Sequence, residues 1–267
     1  MAIIAHLSDT HIDGAHNRST KRLARVMTYL NRLPGHIDAI VVTGDVADHG
    51  TELEYRAARD LLQSDIPVFM CPGNHDDRSN FRKFLFDEEG VGPINSAHVV
   101  GNCIIVLCDS SIPGESHGVL APDTLSWLRG VLDEAPSDAN ILIGLHHPPI
   151  RLFSPIIDPI RLTEVDEFAE LVGTDDRVRA ILCGHAHTSA VTTFAGKLVI
   201  VAPSVASVLG PEWEGGADGG TNGTPTVDHG PLPAVAFHVI DEDNRLTTHF
   251  RTVAKGVNRY SLARHRH

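Results

Sequence analysis

Short apolar runs alternate with helical patterns through most of the chain, and this alternation limits the possible folds. Six of the runs are typical of strands: residues 2–7, 37–43, 67–71, 102–108, 140–145 and 178–183. Apolar residues at helical spacing lie between them. Strands that alternate with helices favour stacked α and β layers. The sequence therefore predicts an α/β fold, and 267 residues are enough for one large domain with a buried core.

The helical patterns carry recognisable boundary signals. Thr51 followed by Glu54 predicts a capping box, and Pro122 suits a first helical turn. Thr163 is the expected cap of a later helix. An apolar stripe predicts an earlier helix with Leu23, Val26, Met27, Leu30 and Leu33 on one face.

The pattern changes after His187. Residues 191–194, 198–202, 234–240 and 246–253 are typical of strands, and no helical pattern separates them. We expect hairpins that complete a second sheet. The sequence predicts a single domain over residues 1–267. This domain includes a Gly/Pro-rich loop at about 207–233 and a C-terminal tail from about 255. Such a long loop is typically a binding loop or a mobile surface segment.

Composition excludes several classes of protein. The net charge is −12 with histidine neutral, and no basic face is visible, so we expect no nucleic-acid partner. No stretch is long and apolar enough for membrane insertion, and the N-terminus lacks the features of a secretory signal. The four cysteines lie in apolar runs without a CxxC pair, which favours reduced, buried thiols and a cytoplasmic location.

Five polar clusters each follow one of the apolar runs. They are "SDTH" with Asp9 and His11, "TGDVAD" with Asp45 and Asp48, "PGNHDD" with Asn74 and His75, "LHHPP" with His146 and His147, and "CGHAH" with His185 and His187. Residues just past the carboxyl ends of strands in an α/β sheet gather in one crevice. Each cluster alone has an ordinary explanation as a cap or a turn. The five together predict a shared metal site.

The donor atoms favour a pair of transition metals. The candidate ligands are Asp9, His11, Asp45, Asn74, His146, His185 and His187. Mixed oxygen and imidazole donors suit Mn, Fe, Zn or Co better than Ca or Mg. Seven ligands exceed one tetrahedral ion, whereas two ions that share one carboxylate accommodate them. No cluster contains cysteine, which argues against a zinc finger or ribbon.

The charge of such a site indicates its substrate. Two divalent ions, the carboxylates of Asp9 and Asp45, and a bridging hydroxide leave a net charge of about +1, since the other ligands are neutral. The site should therefore hold an anionic group, and a phosphate ester fits. Paired ions can clamp the attacking and leaving oxygens of an in-line displacement.

The order of the clusters resembles the calcineurin-like metallophosphoesterase superfamily, whose pattern is D-x-H, GD, GNH, H and GH-x-H. The match extends over roughly residues 3–205. The stretches "GNHDDR", "FRKFLFDE", "LHHPPI" and "VRAILCGHAH" are similar to class III cyclic nucleotide phosphodiesterases of the actinobacterial type. The resemblance implies a four-layer α/β/β/α sandwich of two mixed sheets.

The resemblance also implies roles for the candidate ligands. One metal ion would be bound by Asp9, His11, Asp45 and His187, and the other by Asp45, Asn74, His146 and His185. Asp45 would then bridge the two ions. Asn74, His75 and His187 would face the substrate, and His75 would contact the phosphate and protonate the leaving alkoxide.

Two polar residues and one segment near the clusters lie outside this set of ligands. His147 is expected to support a ligand or to face the substrate. Asp48 stands where purple acid phosphatases place a ligand tyrosine, which argues against that class, and it is expected to orient a ligand or a water. The apolar, Pro-broken segment 148–162 could form a pocket wall, a dimer contact or ordinary packing.

The predicted function is hydrolysis of a phosphodiester, 3′,5′-cyclic AMP being the leading substrate, by a hydroxide held between two metal ions. The alternatives are a glycerophosphodiesterase or a broad-specificity phosphatase of the same superfamily, or a non-catalytic metal-binding scaffold. A nuclease is disfavoured because the chain is acidic and lacks a basic aromatic groove. The expected partners are a small phosphodiester and a second copy of the chain, as a homodimer or larger homo-oligomer.

Overall fold

The computed structural model describes residues 1–14, 17–214 and 227–254. The strands are β1 (Ala2–Leu7), β2 (Ala39–Thr43), β3 (Val68–Cys71), β4 (Ser96–Val100), β5 (Cys103–Leu107), β6 (Asn140–Gly144), β7 (Val178–Cys183), β8 (Ala190–Phe194), β9 (Lys197–Val201), β10 (Val208–Leu209), β11 (Val227–Asp228), β12 (Ala234–Ile240) and β13 (Leu246–Thr252). The α-helices are α1 (Arg18–Leu30), α2 (Glu52–Leu61), α3 (Arg78–Phe81), α4 (Pro122–Glu134) and α5 (Asp166–Gly173). None of the helices in the described ranges has the length and apolar character needed to cross a bilayer.

The strands form two mixed sheets and a short ribbon. The first sheet has the order β13-β12-β1-β2-β3, and the second has the order β4-β5-β6-β7-β9-β8. Strands β1, β2 and β3 are parallel, as are β5, β6, β7 and β9. The outer pairs are antiparallel, and β10 and β11 form the separate ribbon.

Three apolar clusters lie between the layers and confirm the predicted α/β/β/α sandwich. One cluster joins the first sheet to α1 and α2, and includes Leu23, Val26 and Tyr55. A second joins the other sheet to α4 and α5, and includes Leu128 and Phe168. The third lies between the two sheets. Both sheets are therefore buried on both faces along their central strands, which explains why those strands read as continuous apolar runs.

Local chemistry sets most helix boundaries. Thr51 and Glu54 form the predicted capping box at the start of α2, and Pro122 opens α4 as expected. The expected cap at Thr163 is wrong: α5 begins at Asp166, and the Thr163 hydroxyl donates to the Gly118 carbonyl instead. The partner of that hydroxyl is distant in the chain, so the sequence near α5 did not indicate it.

The expectation of hairpins that complete a second sheet is correct for one hairpin and wrong for the other. The hairpin β8–β9 extends the second sheet, but β12–β13 joins the first sheet through β1. The edge strand β4 was not predicted, because only one of its five residues is buried and its apolar pattern is weak. Residues 215–226 of the Gly/Pro-rich loop at 207–233 and the whole predicted tail from 255 lie outside the described residues.

Candidate active site

The predicted site residues all follow the carboxyl ends of parallel strands. Asp9 follows β1 and Asp45 follows β2, while Asn74 and His75 follow β3. His146 follows β6, and His185 and His187 follow β7. Backbone hydrogen bonds join neighbouring loops within each sheet, as from Asp9 N to Gly44 O at 3.1 Å and from Gly184 N to His146 O at 3.0 Å. Between the two sheets, the His185 N–H donates to Asp9 Oδ1 at 3.1 Å. The loops from both sheets therefore meet at one edge of the sandwich.

Five of these residues have left-handed backbone conformations. The φ angles are 54° at Asp9, 43° at His11, 50° at Asp45, 66° at His185 and 51° at His187. Asp and His tolerate this region better than most residues, but it still costs free energy. Strained residues concentrated at one place are typical of functional sites, where surrounding contacts hold them in position.

The first predicted set of donors converges tightly. The Nε2 atoms of His11 and His187 lie 3.1 Å apart, and His187 Nε2 lies 3.4 Å from Asp9 Oδ1. His11 Nε2 lies 3.5 Å from Asp45 Oδ2. Ligands that bind one ion at about 2.0–2.2 Å are separated from one another by about 3–3.5 Å. These four residues form a group with the spacing of a metal site.

The second predicted set is centred on His146. Its Nε2 atom lies 3.1 Å from Asn74 Oδ1, 3.1 Å from His185 Nδ1 and 3.3 Å from Asp45 Oδ2. Asp45 Oδ2 therefore contacts both donor sets, while its Oδ1 accepts the backbone N–H of His75 at 3.0 Å. The structure brings together all seven residues that the sequence singled out.

In each of the four histidines, the ring nitrogen that points away from the converging donor atoms contacts another protein group. The contacts are His11 Nδ1 to Asp48 Oδ1 at 2.9 Å, His146 Nδ1 to Thr43 O at 2.8 Å, His185 Nε2 to Ile160 O at 3.1 Å, and His187 Nδ1 to Ser207 Oγ at 2.7 Å. A carbonyl or carboxylate can only accept, so the ring nitrogen beside it carries the proton. The opposite nitrogen then presents a lone pair to the centre.

These lone pairs face other acceptors rather than donors. His146 Nε2 faces the Asn74 oxygen and His185 Nδ1, and His11 Nε2 faces His187 and the Asp45 carboxylate. Acceptors that converge at about 3 Å repel one another unless a cation or a proton lies between them. The donor set therefore fits metal ions. Such partners on the outer nitrogen are the usual way in which proteins orient metal-binding histidines.

The pKa values of the histidines also indicate that positive charge is stabilised among the donor atoms. Burial lowers the pKa of both His11 and His146, but neighbouring carboxylates outweigh it and raise each pKa to about 9. Burial lowers the pKa of His187 to about 4 and that of His185 well below its usual value. Burial raises the pKa of Asp45, but the adjacent histidines lower it overall. Without metal, the site therefore holds protons on His11 and His146.

A cleft of about 540 Å³ opens above the donors. Asn74, His75 and His187, the residues expected to face substrate, all line it. The side chain of His75 is 42% exposed, and its Nδ1 donates to the Asp48 carbonyl at 2.8 Å. Four apolar residues also line the cleft, namely Ile156, Ile157, Ile160 and Leu209. Of the three interpretations of segment 148–162, the structure supports a pocket wall.

His147 supports the site from behind and does not line the cleft. It is fully buried, and its Nδ1 contacts Ser110 Oγ at 2.8 Å. Its ring packs against His146 and His185. Burial and these two neighbours lower its pKa well below the usual value, so it is neutral. It therefore holds ligands in place, and the alternative that it faces substrate is not supported.

Asp76 is a supporting residue that the sequence reasoning missed. Its Oδ2 accepts the N–H groups of Val46 and Gly73, at 3.1 and 2.9 Å, and its Oδ1 accepts Ala47 N and the Tyr55 hydroxyl, both at 3.0 Å. It thus ties the Asp45 loop to the loop that carries Asn74. Burial and the charge of Asp45 raise its pKa to about 6. Its position in the "GNHDD" run was the only signal in the sequence.

We expect Asp76→Asn to reduce metal content and activity about 10–100-fold, the usual effect of losing an outer partner of a metal site. An amide offers one oxygen in place of two, so the N–H groups on one side of Asp76 lose their acceptor. Metal analysis of purified protein and kcat/KM would measure the effect. Asp109→Asn is the control, because Asp109 is a buried acceptor of the Ile94 and Ser111 N–H groups. Equal metal loss in both variants would contradict the role of Asp76.

Comparison with known proteins identifies the family. The family model for calcineurin-like phosphoesterases matches residues 3–189. The chain is 37% identical over 213 residues to a cAMP/cGMP dual specificity phosphodiesterase of Mycobacterium tuberculosis, covering 75% of this chain and 66% of that relative. It is 30% identical over 264 residues to a probable glycerophosphodiester phosphodiesterase of Arcobacter nitrofigilis, covering 95% of this chain and 94% of the relative.

A solved structure supports the fold. A dimetal phosphatase from Danio rerio superposes with a TM-score of 0.67 at 15% identity, covering 95% of this chain and 99% of that one. The two mixed sheets, and the site residues gathered at one edge of them, are consistent with the family model that matches the sequence. The chain belongs to the calcineurin-like phosphoesterase family.

Proposed function

We propose that this protein is a metal-dependent phosphodiesterase with two ions held by the seven residues singled out in the sequence. The observation that carries the proposal is the pair of donor sets that meet at Asp45 Oδ2. One ion would be held by Asp9, His11, Asp45 and His187, and the other by Asp45, Asn74, His146 and His185. Four imidazoles, two carboxylates and an amide suit Mn, Fe or Zn.

The bound ions would neutralise the phosphate and supply a nucleophile from water at neutral pH. Side chains of the protein position the ligands, the phosphate and the proton donor. Asp48 fixes the His11 ring, and Asn74 and His187 line the cleft where the phosphate would lie. His75 is held through Nδ1 and is free to act through Nε2, which has no partner among the described residues. It is placed to donate a proton to a leaving alkoxide.

The cleft favours a cyclic nucleotide over a glycerophosphodiester. Ile156, Ile157 and Ile160 form an apolar surface beside the donors. A nucleobase has a flat apolar face that would gain from such a wall, whereas a glycerol group would not. The Mycobacterium relative, by name a cAMP/cGMP phosphodiesterase, agrees with this proposal. The glycerophosphodiesterase alternative remains, because the Arcobacter relative aligns over more of both chains.

A substrate panel tests the proposal. Protein stripped of metal and reloaded with Mn would be assayed on 3′,5′- and 2′,3′-cyclic nucleotides, glycerophosphodiesters and a nitrophenyl monoester. We expect the highest kcat/KM with 3′,5′-cyclic AMP and no turnover by the stripped protein. A preference for glycerophosphodiesters would select the alternative, and no turnover of any ester by metal-loaded protein would leave a non-catalytic scaffold.

The proposal also includes the domain organisation, the oligomeric state and the cellular location of the protein. It includes one domain over residues 1–267, a homodimer or larger homo-oligomer, and a cytoplasmic location. Sedimentation equilibrium of the full chain would measure the oligomeric state, and a monomer at micromolar concentration would contradict that part.

We expect metal affinity to rise with pH up to about 9. Metal binding needs neutral imidazoles, and His11 and His146 hold protons below their raised pKa of about 9 in the metal-free site. Each displaced proton makes the metal affinity change by about tenfold per pH unit. The logarithm of the affinity should therefore rise by about one to two per pH unit. Calorimetric titration with Mn in buffers of different ionisation enthalpy would count the released protons. Affinity that is constant between pH 6 and 8 would show that these histidines do not bind the ions.

A further inference from the structure

A basic groove lies on helix α1 beside the proposed active-site cleft. The helix carries Arg18, Lys21, Arg22 and Arg25 and has no acidic residue between Arg18 and Leu30. These four cations line the groove, which measures about 740 Å³, together with Asn17, His229, Gly230 and Leu232. The whole chain has a net charge of −12. The groove is thus a local reversal of the protein's charge.

Several arginines of the chain, such as Arg59, Arg78 and Arg177, pair with carboxylates, and among the described residues these four cations do not. Burial and the charges of Arg18 and Arg25 lower the pKa of Arg22, and Asp228 opposes this only in part. Like charges this close repel one another unless an anion lies among them.

Arg22 has an unsatisfied donor in the groove. Its side chain is only 7% exposed. Nε donates to the Val205 carbonyl, and Nη1 donates to the Pro231 carbonyl at 2.6 Å. Nη2 is buried and has no hydrogen-bond partner among the residues that the structure describes. A buried guanidinium nitrogen is almost always paired, so this one indicates a missing acceptor.

The groove continues into the active-site cleft. Arg18 and His229 line both cavities. A molecule bound at the metal donors can therefore extend past these two residues toward Lys21 and Arg25. Nε and Nη1 of Arg22 already donate to backbone carbonyls, so Nη2 is the nitrogen that needs a further acceptor. A negatively charged oxygen, such as that of a phosphate group, suits a guanidinium nitrogen among neighbouring cations.

We propose that the groove is a second anion subsite that binds a phosphate-type group, either a second phosphate of the substrate or a free anion. The substrate version rests on the proposed phosphodiesterase function and extends its substrates to diesters that carry a further phosphate. The free-anion version does not depend on catalysis. The two sources share the same recognition chemistry and are separated by experiment.

The experiment compares two dinucleotides, adenylyl-(3′→5′)-adenosine and the same molecule with a 5′-phosphate. The groove variant is Lys21→Gln with Arg25→Gln, which leaves the buried Arg22 in place. The matched control is Arg32→Gln with Lys83→Gln, two exposed cations that do not line the groove. The Mn-loaded enzyme should prefer the phosphorylated dinucleotide by about tenfold in kcat/KM, as expected for charge-assisted hydrogen bonds. The preference should vanish in the groove variant and persist in the control.

A second measurement detects a free anion. Millimolar sulfate, compared with chloride at the same ionic strength, should raise the melting temperature of the wild type and the control but not of the groove variant. This shift without a dinucleotide preference assigns the groove to a free anion. If no diester is hydrolysed but the shift persists, the proposed function fails and the groove stands. Absence of both the preference and the shift would overturn the subsite.

Discussion

Asp45→Ala is expected to remove most bound metal and to lower kcat/KM by at least about 10³-fold. Loss of a single outer partner of a metal site typically costs 10–100-fold, and Asp45 Oδ2 contacts both donor sets. Its Oδ1 also accepts the His75 N–H. The variant therefore weakens both proposed metal sites and releases the neighbouring loop at once.

The backbone packs closely around the Asp45 carboxylate. Gly73 lies directly against it, and a Cβ at that position would come within 2.2 Å of Asp45 Oδ1. His11 and His146 would each lose one of the carboxylates that raise their pKa, while Asp9 and, for His11, Asp48 remain. Alanine has no oxygen that could take the place of Asp45 Oδ2 between the two donor sets, so we expect metal binding to be lost.

Metal analysis and kinetics on the same preparation would measure the effect. Wild type reloaded with Mn should contain about two ions per chain, as seven donors in two sets require. The control is Asp175→Ala, which removes a carboxylate paired with Arg177 outside the site and should keep both ions. If Asp45→Ala retained two ions with wild-type affinity, Asp45 would not bridge them.

His75→Ala is expected to lower turnover of alkyl diesters by about 10²–10⁴-fold while both ions stay bound. This is the usual contribution of a general acid. His75 belongs to neither donor set that meets at Asp45, and its side chain is 42% exposed in the cleft. The effect should be much smaller for nitrophenyl diesters, because a good leaving group does not need a proton.

The comparison of the two esters separates the possible roles of His75. Equal slowing on both would indicate that His75 anchors the phosphate, and loss of metal would make it a ligand. Asn74→Ala should instead lose metal and activity together on both esters, because Asn74 Oδ1 meets His146 in the second donor set. His49→Ala is the control, since His49 is exposed near the site but binds Glu54 and does not line the cleft.

The central strands and the donors were predictable because both are local features of the chain. A strand buried on both faces needs a continuous apolar run, and all six runs named at the outset correspond to strands with ends shifted by two residues at most. The capping box at Thr51 and the proline at the start of α4 also act within one helical turn. The donors were visible because each polar cluster follows such a run.

Features that depend on distant segments were not predictable. The Thr163 hydroxyl bonds to Gly118 and does not cap α5. The hairpin β12–β13 pairs with β1 at the other end of the chain. The basic groove combines helix α1 with His229, more than two hundred residues apart. Pairing across such distances depends on which surfaces the folded layers bring together. A local sequence pattern does not predict which surfaces these are.

The layer architecture and the seven proposed ligands could be predicted from the amino-acid sequence, because they depend on hydrophobic periodicity and on residues next to strand ends. The ring nitrogen that each histidine presents to the site is set by the folded chain. His185 presents Nδ1 to the centre, whereas His11, His146 and His187 present Nε2. The choice follows from which ring nitrogen meets Ile160 O, Asp48, Thr43 O or Ser207. A ring nitrogen takes its role from its hydrogen-bond partner, and three of these four partners come from other loops of the folded chain.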